Sequence, residues 1–443
     1  MYDLFNAVSK NKILKGILPH LPGQTYLVGG CVRDLMLGAV PSDFDLVTFG
    51  ASMDLARHLG AILGGKAFFM DQERQVARIA LNHGDLTIDV SPPKGNDIAA
   101  DLAERDITIN AMALNPFDGT LIDPLGGQKD LQDKRIRLIA EKNLKDDPLR
   151  GLRCLRFSVQ LGFSLDSLTM EVIKKNAETL QRIAPERIKY EFLKALKCPG
   201  SAPFLSLLVD AGYVPVLFKP LVDEDRLRLG LEFISGVERL LLSVPSYLPG
   251  IKDPFADELE HGFTRSGALQ LAGFFAGMAG SPQRNYNEEL VHSWCTRLAL
   301  SSLAGRVIAK TISGMLQVFG LNEKPGLRGS DMHRLLSAYQ QCIPEMLLLA
   351  LASDALAPQK IADSTRDVPI QRRVASLWEY FLRNYQAHVA NPLLTGHDIM
   401  ETLSFNPGPR VGELLRLVEE ARADGIISSR EQALEYLRSI MAE

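Results

Sequence analysis

The sequence predicts an α/β head followed by a chain that is helical almost to its end. Three observations carry this expectation. Residues 25–138 alternate short apolar runs with Gly, Pro, Asn and Asp, the punctuation of strands and turns. Within them, Leu27-Val-Gly-Gly-Cys-Val-Arg-Asp34 has the pattern of a strand, a glycine turn and a helix, and Asp43-Phe-Asp45 follows nine residues later. From Pro148 onward, apolar residues recur at three-to-four spacing, the period of amphipathic helices.

The head elements are predicted in order. Strands are expected over residues 26–28, 44–47, 76–81, 86–90, 111–115 and 121–123, with helices over 31–37 and 53–63. Between the first strand and first helix, Gly29 and Gly30 lack a Cβ, so backbone amides there can approach a polyphosphate closely. The following helix would point its N-terminus at the same anion, and Arg33 adds a positive fork. Asp43 and Asp45 stand at i and i+2 in a strand, hence on one face. Two carboxylates on one face suit Mg²⁺, which takes oxygen ligands and bridges carboxylates to phosphates. Asp89, inside the 86–90 strand, has two readings: an edge-strand charge, or a third carboxylate facing the pair.

Helices are expected over 148–161, 168–182 and 185–196, the first with Asp147 as N-cap and Pro148 at the first helical position. A Pro/Gly break at residues 198–203 separates these from a helical stretch over 254–321. A polar connection at 358–368 precedes a final helical block with helices over 411–423 and 429–441. The expected division is 1–138, 139–200, 201–390 and 391–443.

Composition bounds the rest. A chain of 443 residues, 46% of them hydrophobic, can bury two to four substantial cores. No run approaches 18 consecutive apolar residues, and the N-terminal segment lacks the apolar core of a signal peptide, so a soluble cytoplasmic protein without a membrane partner is expected. The five cysteines, Cys31, Cys154, Cys198, Cys295 and Cys342, form no C-x-x-C and imply neither a disulfide framework nor zinc. A formal net charge of −4 argues against a uniformly basic nucleic-acid binder. Residues 129–197 nonetheless hold about 16 Lys/Arg against about 10 Asp/Glu. That stretch is either a solvated helical face or a surface that tracks phosphates.

The order Gly-Gly-x-Val-Arg-Asp, Leu-Gly, Asp-x-Asp resembles motif A of the class II nucleotidyltransferases, the tRNA CCA-adding enzymes and bacterial poly(A) polymerases. Four further motifs follow in the family's order. Arg105-Asp-Ile-Thr-Ile-Asn-Ala111 resembles motif B, with Glu104 where a second Arg is usual and Ile107 in place of an aromatic residue. The resemblance implies triphosphate contact for Arg105, recognition of the ribose 2′ hydroxyl for Asp106 and nucleotide positioning for Asn110. Asp118 to Leu131 resembles the connecting motif C, read here as structural. Asp146-Asp-Pro-Leu-Arg-Gly-Leu-Arg-Cys-Leu-Arg-Phe157 resembles motif D, with Asp146 in place of Glu. Asp147 and Arg150, three apart, would share one helix face and read a base edge through an acceptor and a donor. Arg153 and Arg156 follow at the same spacing and suit phosphates, or else form a basic solvent face. Pro185 to Phe192 resembles motif E, where Glu186 and Arg187 take a scaffold role.

The fold implied is an α/β nucleotidyltransferase palm, a mixed sheet with helices, followed by an all-α neck, body and tail. The activity implied is template-independent extension of a tRNA 3′ end from CTP, and in some members ATP, with Mg²⁺ held by Asp43 and Asp45 and pyrophosphate released. Asp89 would complete the catalytic acids. CC addition, CCA addition and A addition, including poly(A), compete. Only 11 residues separate Asp89 from Asp101, where CCA-adding members carry a longer flexible loop, and this favours CC addition. A palm kept only for non-catalytic RNA binding is the remote alternative. Oligomeric state leaves no mark in the sequence.

Leu259 to Gly280 resembles the start of a HD phosphohydrolase-like helical domain, but Phe275-Ala-Gly-Met278 stands where a His-Asp pair would bind metal, so a helical remnant without hydrolase activity is expected. The segment from Leu394 to Met400 resembles the tRNA-contacting tail of long-form members, and His397-Asp398 within it has no further ligand spacing.

Overall fold

The computed structural model describes residues 4–81, 86–197, 201–219, 223–280, 286–321, 327–355 and 369–442. The expected connection at 358–368 and Cys198 lie outside the described residues. The chain divides into two compact units, Met1–Pro199 with Leu207–Val216, and Gly200–Ser206 with Leu217–Glu443.

The first unit is built on a seven-stranded mixed sheet. Its strands are β1 (Thr25–Val28), β2 (Asp43–Thr48), β3 (Lys66–Asp71), β4 (Val76–Leu81), β5 (Leu86–Ser91), β6 (Ala113–Leu114) and β7 (Leu121–Ile122), in the order β3-β4-β5-β2-β1-β6-β7. The β2–β5 pair is parallel and the other pairs are antiparallel. Alternation places Val28, Val47, Ala111 and Ala113 in a core shared with Ile98 and Leu102. Each such side chain removed from water contributes roughly 1–3 kcal/mol.

β3 was not predicted. Every second residue of Lys66-Ala-Phe-Phe-Met-Asp71 is exposed, Phe68 at 42% and Met70 at 52%, so it is an edge strand whose pairing with β4 is not written in a buried run. Helices Ile98–Ala103, Gly127–Gln132 and Glu141–Asp146 were also unpredicted, each only six residues long. Residues 168–182 do not form one helix. The Ser167–Lys175 helix ends at Asn176, whose side-chain amide donates to the Val172 carbonyl at 2.8 Å, and a 3₁₀ turn continues over Ala177–Arg182.

The longer helices of this unit include Ser52–Leu63, Leu149–Leu161 and Pro185–Leu196. Gly151 is required where it stands: a Cβ there would fall on the Tyr213 hydroxyl and within 3.2 Å of Leu144.

Among its described residues the second unit is helical apart from one short hairpin. Helix Arg265–Ala279 is buried on every side from Gly267 onward, which matches its lack of a polar face. It packs on helix Glu224–Leu241 at very close range, since a Cβ on Gly277 would fall on the Gly230 backbone. Phe275 and Met278 lie in this interior, with Phe275 against Trp294 at a centroid distance of 5.2 Å. Helices Gly396–Leu403, Pro409–Ala423 and Arg430–Ala442 share a core centred on Ile399, Leu414, Val418 and Leu437. Asp398 closes a capping box with Thr395 and pairs with Arg430 at 2.5 Å, so it is committed to helix capping. Among the described residues no single helix is long and apolar enough to cross a membrane.

Candidate active site

Asp43 and Asp45 are carried on β2 at the middle of the sheet. Asp43 is exposed and accepts a hydrogen bond from Thr87 Oγ1 at 2.8 Å. Asp45 is half-buried and stands directly opposite Asp89 in the parallel register. Burial, then the charges of Asp89 and Asp43, raise the Asp45 carboxyl to about 6, against the pull of Arg105. Burial outweighs the neighbouring Arg105, so a bound cation would favour the ionised form of Asp45. The donors are all carboxylate oxygen, so the cluster fits a hard divalent cation.

Both oxygens of Asp89 are engaged by Arg78 on β4, at 2.7 Å each. Asp89 thus faces the pair through its field and not through free ligand atoms. The sequence could not reveal this, because Arg78 becomes its neighbour only through strand pairing.

Gly29 has φ +78, a conformation that L side chains rarely adopt, and a Cβ there would stand 2.8 Å from Arg105 Nη1 and 3.1 Å from Asp45 Oδ2. The turn therefore leaves room for Arg105 to lie against the acidic cluster. Asp101 aims it, accepting from Arg105 Nε at 3.2 Å and Nη2 at 3.1 Å. Gly30 opens the Gly30–Met36 helix.

Arg33 does not project as a free fork. The helix turns it inward, where it is 6% exposed, pairs with Asp34 at 2.8 Å and donates to Asn110 Oδ1 at 2.6 Å. Its guanidinium also lies 5.3 Å from the Phe157 ring centroid. Asn110 is held in turn, since the 3₁₀ turn Thr108–Asn110 is fixed by Thr108 Oγ1 donating to Asp130 at 2.6 Å. This gives the Gly126 to Asp130 segment the structural role expected of it.

Beside this cluster opens a cavity of about 920 Å³, lined by Arg74, Lys94, Arg105, Asp106, Asp147, Arg150, Arg153, Arg187 and Tyr190 among others. Asp147 and Arg150 both reach it, but not as one helix face. The residue before a proline is driven out of the helical region, and Asp147 is extended at φ −139, ψ 95, with the helix beginning at Leu149. Asp147 Oδ2 accepts from Arg187 at 2.9 Å. Arg150 donates to the carbonyls of Arg105 at 3.1 Å and Glu104 at 2.7 Å. Arg187, expected only as scaffold, is thus a cavity residue.

Asp106 is buried and bonded to Arg153 at 2.8 and 2.7 Å. Burial alone would lift its carboxyl, yet Arg153 and the Ile107 amide outweigh it and hold it down at about 2. Arg153 also contacts Glu191 at 3.2 Å. Arg156 is not on a phosphate-facing surface: it is 5% exposed, bonded to Glu191 at 2.6 Å and to Gln160, with its guanidinium 4.0 Å from the Phe157 centroid. Its buried carboxylate partner, Glu191, lies 35 residues away in sequence, which hid the pairing. Glu104 accepts from Lys142 at 3.3 Å. Cys31 is buried and its thiol is pushed up to about 12 by burial and by Asp45, which leaves it no nucleophilic role.

Comparison with known proteins gives the chain its family. A family described as the Poly A polymerase head domain matches residues 25–137, and one described as the probable RNA and SrmB-binding site of polymerase A matches residues 162–225. The CC-adding tRNA nucleotidyltransferase of Geobacter sulfurreducens is 31% identical over 416 residues, covering 93% of this chain and 91% of its own. The A-adding tRNA nucleotidyltransferase of Deinococcus radiodurans is 30% identical over 443 residues, covering 95% and 96%. Among solved structures, the Thermotoga maritima CCA-adding enzyme complexed with tRNA shares the fold, with a TM-score of 0.69 and 23% identity over 99% of this chain and 98% of that one. On the strength of identity sustained along nearly the whole of both chains, this protein belongs to the tRNA nucleotidyltransferase and poly(A) polymerase family of enzymes.

Proposed function

We propose that the protein adds CC to the 3′ end of tRNA, using CTP and releasing pyrophosphate. The reading is carried by the short connection after β5. Only six residues, 92–97, join β5 to the Ile98–Ala103 helix, and they are tied down: the Lys94 amide donates to Asp101 Oδ1 at 3.0 Å and Asp97 caps the helix through the Ala100 amide at 2.8 Å. A tethered connection of this length offers little freedom to reshape the pocket between CTP and ATP. The similarity to a CC-adding relative supports the same reading.

In this reading, residues 1–138 are the head, 139–200 the neck, 201–390 the body and 391–443 a tail that meets the tRNA. The 3′ hydroxyl oxygen attacks the α-phosphorus in line, a phosphodiester forms, and the bond to pyrophosphate breaks. Asp43 and Asp45 would hold Mg²⁺, which supplies activation of the hydroxyl and charge neutralisation on the phosphates. Arg105, aimed by Asp101, contacts the triphosphate, and the Gly29-Gly30 turn lets the nucleotide approach. Asp89 keeps Asp45 poised. Asp147, Arg150 and Arg187 frame the base, Arg153 orients Asp106 toward the ribose, and Arg33 and Asn110 hold the cradle in shape.

A addition is the second reading, because the A-adding relative is nearly as similar. Incubation with tRNA lacking its terminal CCA, tRNA ending in CC, and each labelled NTP separates them. Two C residues and no A are expected. A single A on tRNA ending in CC, full CCA, or long A tracts on unrelated RNA would each overturn CC addition in favour of the corresponding activity.

A further inference from the structure

A second constellation lies far from the palm in sequence, in the helical unit. His333, on helix Gly329–Ala338, is 6% exposed. His388, on the short helix Gln386–Ala390, and Glu419, on helix Pro409–Ala423, are half-buried. One donor atom from each lies within 4.8 Å of the other two. Two buried polar atoms of this group, His388 Nδ1 and Glu419 Oε2, have no hydrogen-bond partner among the described residues. Leaving such atoms without a hydrogen bond inside a protein costs about 1–3 kcal/mol each, which a bound group could relieve.

Their surroundings fix the three side chains. His333 packs against the rings of Tyr385 and His388 at centroid distances of 5.2 and 5.9 Å, and Tyr380 Oη lies 3.4 Å from His333 Nδ1. Helices Gly329–Ala338 and Pro409–Ala423 are clamped together: a Cβ on Gly329 would fall on the Ala423 carbonyl, and Arg334 grips Glu420 with two bonds at 2.9 and 2.8 Å. Burial, the first cause, lowers both His333 and His388 below the ordinary imidazole value. Arg422 opposes a cation, standing 3.8 Å from Glu419 Oε2. Its guanidinium is engaged by the carbonyls of Asn391 at 2.7 Å and His388 at 3.5 Å, and it makes no hydrogen bond to that carboxylate oxygen.

We propose that His333, His388 and Glu419 form a binding site for a zinc-class divalent transition metal, with water in the remaining coordination position. Two borderline imidazole nitrogens beside one carboxylate favour such ions over Mg²⁺. The donors are 55 and 31 residues apart, so the metal would staple three segments of the helical unit.

The test uses the full chain, stripped with a chelator and titrated with Co²⁺, then Zn²⁺. One Co²⁺ per chain should give the strong visible absorption of a four-coordinate ion, bleached by one equivalent of Zn²⁺ and unaffected by excess Mg²⁺. Zn²⁺ should also raise the melting temperature. Glu419→Gln, which keeps size and shape, and His388→Ala should each lose the absorption and the thermal shift while nucleotide incorporation with Mg²⁺ persists. A wild-type chain with no such absorption overturns the proposal, whatever the variants do. So does an absorption that survives in a folded Glu419→Gln or His388→Ala chain.

Discussion

Arg33 and Asn110 stand 77 residues apart and meet inside the head, with Arg33 Nη1 donating to Asn110 Oδ1 at 2.6 Å. This bond locks the Gly30–Met36 helix to the Thr108–Asn110 turn that follows the Ile98–Ala103 helix, and so sets the width of the cradle between them. Arg33→Lys keeps the charge but loses the fork that also holds Asp34. Stability should fall by about 1–3 kcal/mol and CTP incorporation at least about tenfold, read by denaturant melts and by kcat/KM. Unchanged incorporation would show that the cradle does not depend on this bond.

Gly29→Ala tests the close approach directly. The new methyl meets Arg105 and Asp45 in a backbone conformation strained for alanine, at a cost of about 1–3 kcal/mol. Incorporation of every nucleotide should drop together, with the preference for CTP over UTP retained. A selective loss of one nucleotide would contradict the placement.

The raised carboxyl of Asp45 sets the pH dependence. It must be ionised to hold a cation, so kcat/KM at limiting metal should decline as pH falls through about 6. Asp89→Asn removes a like charge and frees Arg78, both of which favour ionised Asp45. The decline should therefore move to lower pH, and movement upward would refute the assigned coupling.

Asp106 carries the opposite sign. Its folded value of about 2 lies below the ordinary carboxylate value, so its ion pair with Arg153 stabilises the fold above about pH 4, and this contribution is lost as pH falls toward 2. Asp106→Asn leaves Arg153 partly uncompensated beside Glu191. It should cost about 3 kcal/mol at pH 7, with less difference from wild type in acid, by urea denaturation at both pH values.

Asp147 and Arg187 separate base choice from chemistry. Asp147→Ala should relax the preference for CTP over UTP by roughly five- to 150-fold, corresponding to about 1–3 kcal/mol of unpaired hydrogen bonding. Arg187→Ala should shift the same ratio, because it holds Asp147 Oδ2. Asp43→Ala should abolish all incorporation. A wild-type ratio in both neck variants would remove this segment from base selection.

Much of this was legible in the chain. Periodicity and glycine chemistry located most of the sheet and the long helices, and the strand parity of Asp43 and Asp45 placed them on one face. What escaped depended on partners distant in sequence. β3 is half exposed and becomes a strand only beside β4, and Arg78 reaches Asp89 only across that same sheet. The extended backbone of Asp147 follows from Pro148, whereas the helix start at Leu149, one residue later than expected, has no mark in the sequence. Arg156 looked like a surface cation because its buried partner, Glu191, lies on another helix.

The parallel register that sets Asp45 beside Asp89 also bears on how the molecule is made. The two strands cannot pair until residues 49–85 have been synthesised and β2 and β5 have come together as the one parallel pairing of the sheet. Joining distant strands carries a loop-closure cost that local hairpins such as β4–β5 avoid, and non-local pairings form slowly. A nascent or partly folded chain can thus present the Gly29 turn and the Asp43-Asp45 strand without a working centre. Competence arrives with the closing of the sheet, and an incomplete head has no assembled site with which to act on RNA.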